Sequence, residues 1–387
     1  MNTVILTGGG SGGHITPLMA VAKQLKADNP SIKLIYIGQR GDGLIDIPHK
    51  NPNIDEVKVV YAGKFRRYHG EGFMQLLDLK TMWLNFRDFF YVIYGTLQAI
   101  RLLGKIKPDV MFSRGGFVSV PVGLASAVRR IPYITHDSDP IPSLANRIIG
   151  RWAAVHAVAL PAEIYPYDRS KTVTTGIPLN DNFTPVTPDL NKKFRDELGL
   201  SISSRILFVI GGGLGSRQVN TAISEAMPHL LSDYVDLHVF HIVGRNNLTE
   251  MQRFYSDHLQ ADQKPRIQVL GYVDDVYRYS GAADVVVTRA GATNLAEFAV
   301  QGRACIVIPS PFLAAGHQLK NAEILADKQA ALVLNEDDLT DDPNRLAGMI
   351  DRLLTSSNER KQLGSNLSSF AQPNAAEAIS KLIIDHI

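Results

Sequence analysis

The sequence predicts two doubly wound, Rossmann-like α/β domains arranged one after the other. Short apolar runs rich in β-branched residues alternate with amphipathic helical patterns, as the strands and helices of a parallel sheet do. This alternation stops near residue 180 and starts again near residue 205. Each half begins with an apolar run that leads directly into a glycine-rich turn. At 387 residues the chain is long enough for two domains of ordinary size.

The first half contains six predicted strands, each followed by a turn or a helical pattern. The first strand precedes a helical pattern in which apolar residues recur every three or four positions between Ile15 and Leu25. The six strands are predicted at residues 4–6, 34–37, 57–60, 110–112, 133–135 and 155–159.

The second half repeats the pattern with five predicted strands, and a polar stretch with prolines at residues 180–191 separates the halves. We therefore place the first domain at residues 1–178 and the second at residues 179–372. The amphipathic helix predicted at residues 373–387 is expected to pack back onto the first domain. The five strands are predicted at residues 206–210, 238–243, 267–270, 285–288 and 305–308.

Net charge, the single cysteine and the composition of individual segments argue against several classes of protein. The net charge of +2 does not favour a nucleic-acid-binding protein, so we expect no nucleic-acid partner. The single cysteine, Cys305, lies in an apolar run and is predicted to be a buried strand residue. The chain begins on a strand without the pattern of a signal peptide, which predicts a cytoplasmic protein. Residues 86–103 are apolar but contain Arg87, Asp88 and Arg101, so we expect them not to cross a membrane.

Three glycine-rich turns follow predicted strands, at residues 7–13, 113–119 and 211–216. Glycine allows a tight turn and lets backbone N–H groups at a helix N-terminus approach an anion, so diphosphate binding is the chemical expectation. A close-packed turn without a ligand remains the alternative for each of them. None is a Walker A motif, and the second strand ends in Gly38-Gln39-Arg40 rather than in the acidic residue that holds a nicotinamide ribose.

Taken together, the motifs of the chain resemble those of the GT-B glycosyltransferases, and closely those of the MurG-like family of lipid-linked N-acetylglucosaminyltransferases in peptidoglycan synthesis. The resemblance covers nearly the whole chain. Its motifs are at residues 9–14, 63–68, 115–119, 136 with 146–147, 211–216, 289–292 with 297, and 317–318 with 321.

The resemblance implies a GT-B fold whose two domains face a cleft. It also implies an inverting, metal-independent enzyme without a cofactor. Such an enzyme moves N-acetylglucosamine from UDP-N-acetylglucosamine to lipid I, an undecaprenyl diphosphate-linked muramyl pentapeptide. The first domain would bind this polyprenyl acceptor and the second the donor. Three alternatives stay open: a GT-B transferase with another acceptor, a UDP-N-acetylglucosamine 2-epimerase, and a regulatory protein that only binds the sugar nucleotide.

The resemblance also implies roles for single residues. His14 is the candidate base, because histidine titrates near neutral pH. Glu297 is expected to accept hydrogen bonds from the ribose of the donor. The acceptor side comprises Gly115, Gly116, His136, Lys64 and Arg67. Further donor contacts are expected at Ser11, Gly12, Gly13, Asp139, Asn180, Gly213, Val273, Ala292, Thr293, Asn294, Leu295, Ala296 and Gln318.

The chain departs from the family pattern where substrates are expected to bind. Asp139 replaces a neutral amide, Asn180 replaces an arginine, Gly213 replaces a serine, and Asn294 stands where threonine is common. An anion at position 139 would repel a diphosphate. Asp137 and Asp139 also form the D-x-D pattern of metal-dependent glycosyltransferases, which leaves a divalent cation as an alternative at this position.

A lipid-linked acceptor implies work at a membrane surface. Residues 63–68 and 82–91 interleave basic residues with large apolar ones, a mixture that suits contact with anionic lipid. A buried pair of helices with a solvated basic rim would produce the same pattern. We therefore expect a peripheral protein on the cytoplasmic face of the cell membrane.

Overall fold

The structure, a computed structural model, describes residues 1–10, 12–66, 78–213, 215–312, 316–342 and 344–387. The chain forms two compact units: unit 1 is Met1–Asp181 with Gln372–Ile387, and unit 2 is Asn182–Ala371. Each unit contains one parallel sheet covered by helices, which confirms the predicted fold class.

The sheet of unit 1 has seven strands within the described residues, in the order β3-β2-β1-β4-β5-β6-β7. All neighbouring pairs are parallel. The strands are β1 (Thr3–Thr7), β2 (Lys33–Gln39), β3 (Glu56–Val60), β4 (Val110–Ser113), β5 (Tyr133–Asp137), β6 (Val155–Val158) and β7 (Thr172–Thr174). The helices are α1 (Gly12–Asp28), α2 (Asp46–Lys50), α3 (Leu79–Ile106), α4 (Ser119–Val128), α5 (Leu144–Ile149) and, from the end of the chain, α15 (Ala375–Ile384).

The sheet of unit 2 has six strands within the described residues, in the order β10-β9-β8-β11-β12-β13, again all parallel. They are β8 (Arg205–Ile210), β9 (Leu237–Ile242), β10 (Ile267–Leu270), β11 (Val285–Thr288), β12 (Cys305–Val307) and β13 (Leu332–Val333). The helices are α6 (Pro188–Glu197), α7 (Arg217–Asp233), α8 (Leu248–His258), α9 (Val276–Ala282), α10 (Ala292–Gln301), α11 (His317–Asp327), α12 (Glu336–Asp341), α13 (Asn344–Thr355) and α14 (Ser357–Ser368).

Strand residues alternate between two hydrophobic clusters in each unit, one on each face of the sheet. In β8, Leu207 and Val209 join one cluster, while Ile206 and Phe208 join the other. Because successive side chains of a strand point to opposite faces, a strand covered on both sides is apolar throughout. Cys305 is fully buried in β12, as predicted, and burial raises the pKa of its thiol to about 12.

All eleven predicted strands are present, and two strands were not predicted. β7 has only three residues and β13 only two, so neither has a run long enough to give a pattern. Residues 86–103 lie within α3, a helix of 28 residues. No helix in the described part of the chain is both long and apolar enough to span a membrane.

The topology fixes where ligands can bind. In unit 1 the chain runs outward from β1 to β3 on one side, then returns to place β4 on the other side of β1. Unit 2 does the same with β8 and β11. In open α/β sheets, the crevice at the carboxyl ends of the two strands at such a switch point is the usual ligand site.

Candidate active site

The glycine-rich turns lie at these two switch points. In unit 1 the turn after β1 and the turn after β4 are direct neighbours: a Cβ at Gly116 would lie 2.7 Å from the Gly9 carbonyl oxygen and 3.3 Å from Cδ2 of His14. Gly10, Gly115 and Gly116 have φ near +80°, a conformation that disfavours other residues. Two adjoining glycine turns, of which Gly10 is exposed and Gly116 partly exposed, therefore lie beside the predicted base.

His14 lies in the first turn of α1 and is partly buried. Gly12 and Gly13 precede it as the first two residues of the helix, and Gly13 is exposed. The N-terminus of a helix carries a partial positive charge from its free N–H groups. The imidazole is thus placed beside a location that favours an anion.

Arg114 is a buried cation directly under the second turn of unit 1. It follows β4, and its side chain is only 2% exposed. Its Nη1 donates to Nδ1 of His136 at 2.7 Å and to Oγ of Ser138. Burial lowers its pKa to about 10, although the charges of Asp139 and Asp137 counteract part of that effect. Arg114 remains charged at neutral pH.

His136 is fully buried, and both ring nitrogens are engaged. Nε2 donates to the Gly176 carbonyl oxygen at 2.7 Å, so Nδ1 is the acceptor of the Arg114 hydrogen bond. Burial and the nearby Arg114 lower the pKa of His136 well below its usual value, which keeps the ring neutral. His136 can therefore influence a ligand only through the groups that it positions.

Both carboxylate oxygens of Asp137 accept hydrogen bonds from other residues of unit 1. Its Oδ1 accepts from the Ser143 backbone and from Asn146, and its Oδ2 accepts from the Tyr167 hydroxyl at 2.6 Å. Both carboxylate oxygens of the first D-x-D aspartate are thus occupied, which argues against the metal alternative. Burial raises the pKa of Asp137 despite these hydrogen bonds. Asp139, by contrast, is partly exposed, and Asn180, near the end of the main segment of unit 1, is exposed.

In unit 2 the turn after β8 leads into α7, whose N-cap is Ser216. Its Oγ also accepts from Nε and Nη2 of Arg289, at 2.9 and 2.6 Å. Arg289 follows β11 and forms a buried two-pronged ion pair with Glu336, at 3.1 and 3.2 Å. This network ties the two turns of the switch point together, with exposed Gly213 at the open end of the first turn.

The second turn of unit 2 leads into α10, which has Gly291 as N-cap and no side chain capping its first N–H groups. These groups are available to an anion. Glu297 lies one turn further along, partly exposed, and no group in the described part of the chain donates a hydrogen bond to its carboxylate. Burial raises the pKa of Glu297 to about 8. Five other predicted donor contacts form the start of the same helix: Ala292, Thr293, Asn294, Leu295 and Ala296.

The two remaining predicted donor contacts of unit 2, Gln318 and Val273, also contact other residues of this unit. Gln318 is buried in α11, and its Oε1 accepts from the Ser310 backbone at 2.9 Å. Asn321, one turn later, donates to the Ala290 carbonyl oxygen at 2.9 Å. Val273 is partly buried and packs against the hydrophobic cluster. Gln318 and Asn321 thus support the loops that follow β12 and β11, respectively.

A separate feature of unit 1 is the exposed aromatic face of α3, defined here as Trp83, Phe86, Phe89, Phe90 and Tyr94. Each of these side chains is at least 50% exposed. The rings of Phe86 and Phe90 stack edge to face, with centroids 5.0 Å apart. An apolar patch of this kind usually marks a site of contact with a partner or a membrane.

Basic residues border the aromatic face and are held by one buried carboxylate. Asp88 accepts from Arg66 at 2.8 Å, from Arg87 at 2.7 Å and from the Lys64 backbone at 3.1 Å. Burial would raise the pKa of Asp88, but the hydrogen bonds from Arg87 and Arg66 outweigh it and lower the pKa. The side chain of Lys64 is exposed.

Two predicted site residues, Ser11 and Arg67, lie outside the described residues. Conversely, four residues without a predicted role form the buried networks under the turns: Arg114, Ser216, Arg289 and Glu336. The only signal in the sequence was an internal similarity, Ser113-Arg114-Gly115-Gly116 against Thr288-Arg289-Ala290-Gly291. It marks the same position of the two sheets.

Comparison with known proteins agrees with this architecture. Residues 4–158 match the glycosyltransferase family 28 N-terminal domain, and residues 206–379 match the glycosyltransferase family 28 C-terminal domain. Among solved structures, Acinetobacter baumannii MurG is similar over 100% of both chains, with a TM-score of 0.73 and 23% identity. The UDP-GlcNAc 2-epimerase of Neisseria meningitidis, solved with UDP-GlcNAc, also matches over 100% of both chains, with a TM-score of 0.65 and 10% identity. At these identities the structures establish the fold alone.

Curated relatives are more similar in sequence. Two proteins named UDP-N-acetylglucosamine–N-acetylmuramyl-(pentapeptide) pyrophosphoryl-undecaprenol N-acetylglucosamine transferase span essentially the whole chain. That of Citrifermentans bemidjiense is 31% identical and covers 98% of this chain and 99% of its own length. One from Bacillus thuringiensis, numbered 3, is 32% identical and covers 100% and 99%. The chain therefore belongs to glycosyltransferase family 28, among the UDP-N-acetylglucosamine-dependent, MurG-type N-acetylglucosamine transferases.

Proposed function

We propose that the protein transfers N-acetylglucosamine from UDP-N-acetylglucosamine to lipid I, forming lipid II. The observation that carries the proposal is the similarity to transferases named for this reaction, which extends over 98% or more of the chain. The fold adds a ligand site at the switch point of each unit, as an enzyme with two substrates needs. The enzyme is an inverting hexosyltransferase.

Unit 2 is the donor-binding unit in this proposal. The uncapped N-terminus of α10 and the turn containing Gly213 face the diphosphate, whose charge grows as UDP leaves. Glu297 accepts hydrogen bonds from the two ribose hydroxyls, for which it has two oxygens without a protein donor in the described part of the chain. Val273 contacts the uracil, and Gln318 the sugar hydroxyls.

Unit 1 is the acceptor-binding unit and supplies the base. The imidazole of His14 takes the proton from the attacking hydroxyl of the acceptor sugar. That oxygen then bonds to the anomeric carbon from the side opposite UDP, and the bond to the diphosphate breaks, which inverts the configuration. Gly116, next to His14, offers its backbone N–H group to the diphosphate of the acceptor, while the N–H group of Gly115 donates to Oγ of Ser113 and shapes the turn.

The enzyme works as a peripheral protein on the cytoplasmic face of the cell membrane. The aromatic face of α3 supplies apolar area, and Lys64, Arg66 and Arg87 supply positive charge at its border. This combination favours binding to a surface of anionic lipids, where a polyprenyl acceptor is found.

The test is transfer of labelled N-acetylglucosamine from the UDP sugar to a lipid I analogue by the purified protein. Formation of the lipid II analogue with inverted configuration is expected. Donor binding without transfer to this acceptor would contradict the substrate assignment and leave the family unaffected. A reaction with the donor alone, without any acceptor, checks for epimerisation.

A further inference from the structure

Each unit has one buried arginine directly after the strand that follows the switch point: Arg114 after β4 and Arg289 after β11. The two residues occupy the same place in similar sheets, so each serves as a reference for the other. In Arg289, Nε, Nη1 and Nη2 all donate to protein acceptors, and Glu336 neutralises the charge. All three guanidinium nitrogens of Arg289 thus have hydrogen-bond acceptors, and its charge has a carboxylate partner.

Arg114 differs from Arg289 both in its hydrogen bonds and in the neutralisation of its charge. Only its Nη1 has hydrogen-bond partners, whereas Nε and Nη2 are buried without any acceptor in the described part of the chain. It donates to a neutral histidine and a serine but to no carboxylate. Leaving donors of a buried charged group unsatisfied costs free energy, so such groups are rare in native proteins and a functional role is one reason for keeping them.

Two carboxylates lie near enough to interact with the charge of Arg114, those of Asp139 and Asp137. Asp137 already accepts hydrogen bonds from Ser143, Asn146 and Tyr167. Asp139 follows Ser138, which Arg114 binds directly, and it is partly exposed while Arg114 is not. A ligand can therefore reach Asp139 from solvent, whereas the guanidinium of Arg114 is enclosed by the protein.

We propose that Arg114 and Asp139 form a compensating charge pair at the substrate site of unit 1, in which Arg114 offsets the repulsion between Asp139 and a phosphate-bearing substrate. Arg114 is a positioning residue, because its buried guanidinium acts through its charge and through Ser138 and His136. The inference rests on the proposed function only for the identity of the substrate that carries the phosphate.

The pair accounts for the aspartate that stands where related sequences are expected to have a neutral amide. A cation and an anion at one site have opposite electrostatic effects on the binding of a phosphate group. Removal of the cation alone is therefore expected to weaken binding of an anion by tenfold or more.

The experiment measures binding of inorganic pyrophosphate by calorimetry, with the protein saturated with UDP so that the donor site of unit 2 is occupied. Asp139→Asn should bind pyrophosphate several-fold more tightly than wild type. Arg114→Met should bind it at least tenfold more weakly. The double variant Arg114→Met with Asp139→Asn should recover most of the lost affinity, because the repelling anion is gone. Arg169→Met, at an exposed arginine of unit 1, should match wild type.

Recovery in the double variant separates charge compensation from a merely structural role, since a turn that is disrupted by loss of Arg114 would not be repaired at Asp139. If Arg114→Met fails to fold, Arg114→Gln, alone and together with Asp139→Asn, takes its place in the same comparison. Equal or weaker binding by Asp139→Asn, absence of recovery in a folded double variant, or no pyrophosphate binding by wild type would each overturn the proposal.

Kinetics provide a second readout and separate the inference from the proposed function. With the lipid I analogue, Arg114→Met should raise KM for the acceptor more than it lowers kcat, and Asp139→Asn should reverse the change in KM. If wild type transfers nothing to lipid I but the pyrophosphate pattern holds, the substrate assignment fails and the charge pair stands. If wild type transfers N-acetylglucosamine to lipid I but the pyrophosphate pattern is absent, the substrate assignment stands and the charge pair fails.

Discussion

The imidazole of His14 lies in the first turn of α1, with its ring 3.3 Å from the position that a Cβ of Gly116 would occupy. As the proposed base it acts on the acceptor hydroxyl, and it is not needed to hold the donor nucleotide. We therefore expect His14→Ala to lower kcat by about 100-fold or more while the affinity for UDP-N-acetylglucosamine stays within about twofold. Steady-state kinetics and a calorimetric titration measure the two quantities.

His49→Ala is the matched control for this change, because His49 is an exposed histidine of unit 1 on α2. It should leave kcat and donor affinity at the wild-type values. Unchanged turnover in His14→Ala would remove His14 as the base.

Glu297 predicts a dependence of donor binding on pH. Because its pKa in the free protein is raised to about 8, the carboxyl group is largely protonated at pH 7, whereas the ribose hydroxyls are best accepted by the ionised form. Donor binding then releases a proton, and affinity should rise by up to about tenfold per pH unit as pH approaches 8, then level off. In Glu297→Gln the affinity should be lower and nearly independent of pH in this range.

Glu297 also makes the stability of the folded protein depend on pH, and this dependence has the opposite direction: stability falls as pH rises, whereas donor affinity rises. A carboxyl group with a raised pKa contributes its full stability below the unfolded pKa of about 4.5 and loses it as pH rises through about 8. At pH 8.5 the free energy of unfolding of Glu297→Gln should therefore be higher than that of wild type, by roughly 1–3 kcal/mol. Exposed Glu225→Gln, on α7, should change neither property. A donor affinity in wild type that does not vary with pH would contradict the role of Glu297.

Single residues also show where inference from sequence ends. Strand ends and glycine turns could be predicted, so His14, Gly116 and Glu297 were assigned to the ends of strands or to the helices that follow, and they lie there. The partners of Arg114 and Arg289 could not be predicted, because His136 and Glu336 come from elements 22 and 47 residues further along the chain. Sequence periodicity indicates which face is buried but not which distant side chain meets it.

Among the elements, α3 makes the most direct prediction. Its aromatic face is exposed, whereas Gly95 and Leu103 on the other side are buried against the unit. Replacing Phe86 and Phe90 together by serine removes apolar area from the exposed side only, so folding should be retained. Binding to vesicles of anionic phospholipid should fall by tenfold or more, since each buried aromatic side chain contributes about 1.5–3 kcal/mol.

The control for α3 is Trp152→Ser, which removes an exposed aromatic residue elsewhere in unit 1. Sedimentation with vesicles should show wild-type binding for this variant, and both proteins should keep the wild-type melting temperature. Equal vesicle binding by the α3 double variant and wild type would exclude this face as the membrane contact.

Elements differ in how much of them a sequence can predict. Strands such as β8 were predictable because five consecutive residues, 206–210, are apolar and buried on both faces. β7 was not, since its Thr-Val-Thr sequence is short and largely exposed at the edge of the sheet. β13 comprises two residues that pair only with β12. Edge strands need little apolar sequence, and the neighbouring strand determines their position.

At the scale of the whole molecule, the two units differ in how the chain builds them. Unit 2 is one continuous segment with its own core, while unit 1 needs the end of the chain. Ile379 and Ile383 of α15 are fully buried in the core of unit 1 beside residues of α1. The Ser380 hydroxyl also donates to Asp28, the last residue of α1, at 2.5 Å.

A chain that ends at Ala371 should therefore lose unit 1 selectively. The two isoleucines alone contribute roughly 3–6 kcal/mol, a large part of the stability of an ordinary domain. Calorimetry should show loss of the transition of unit 1, while the remaining transition still shifts upward with UDP because unit 2 keeps its ligand site. A chain that ends at Ile384 retains α15 and should melt like wild type. If the shorter chain keeps both transitions unchanged, α15 does not stabilise unit 1.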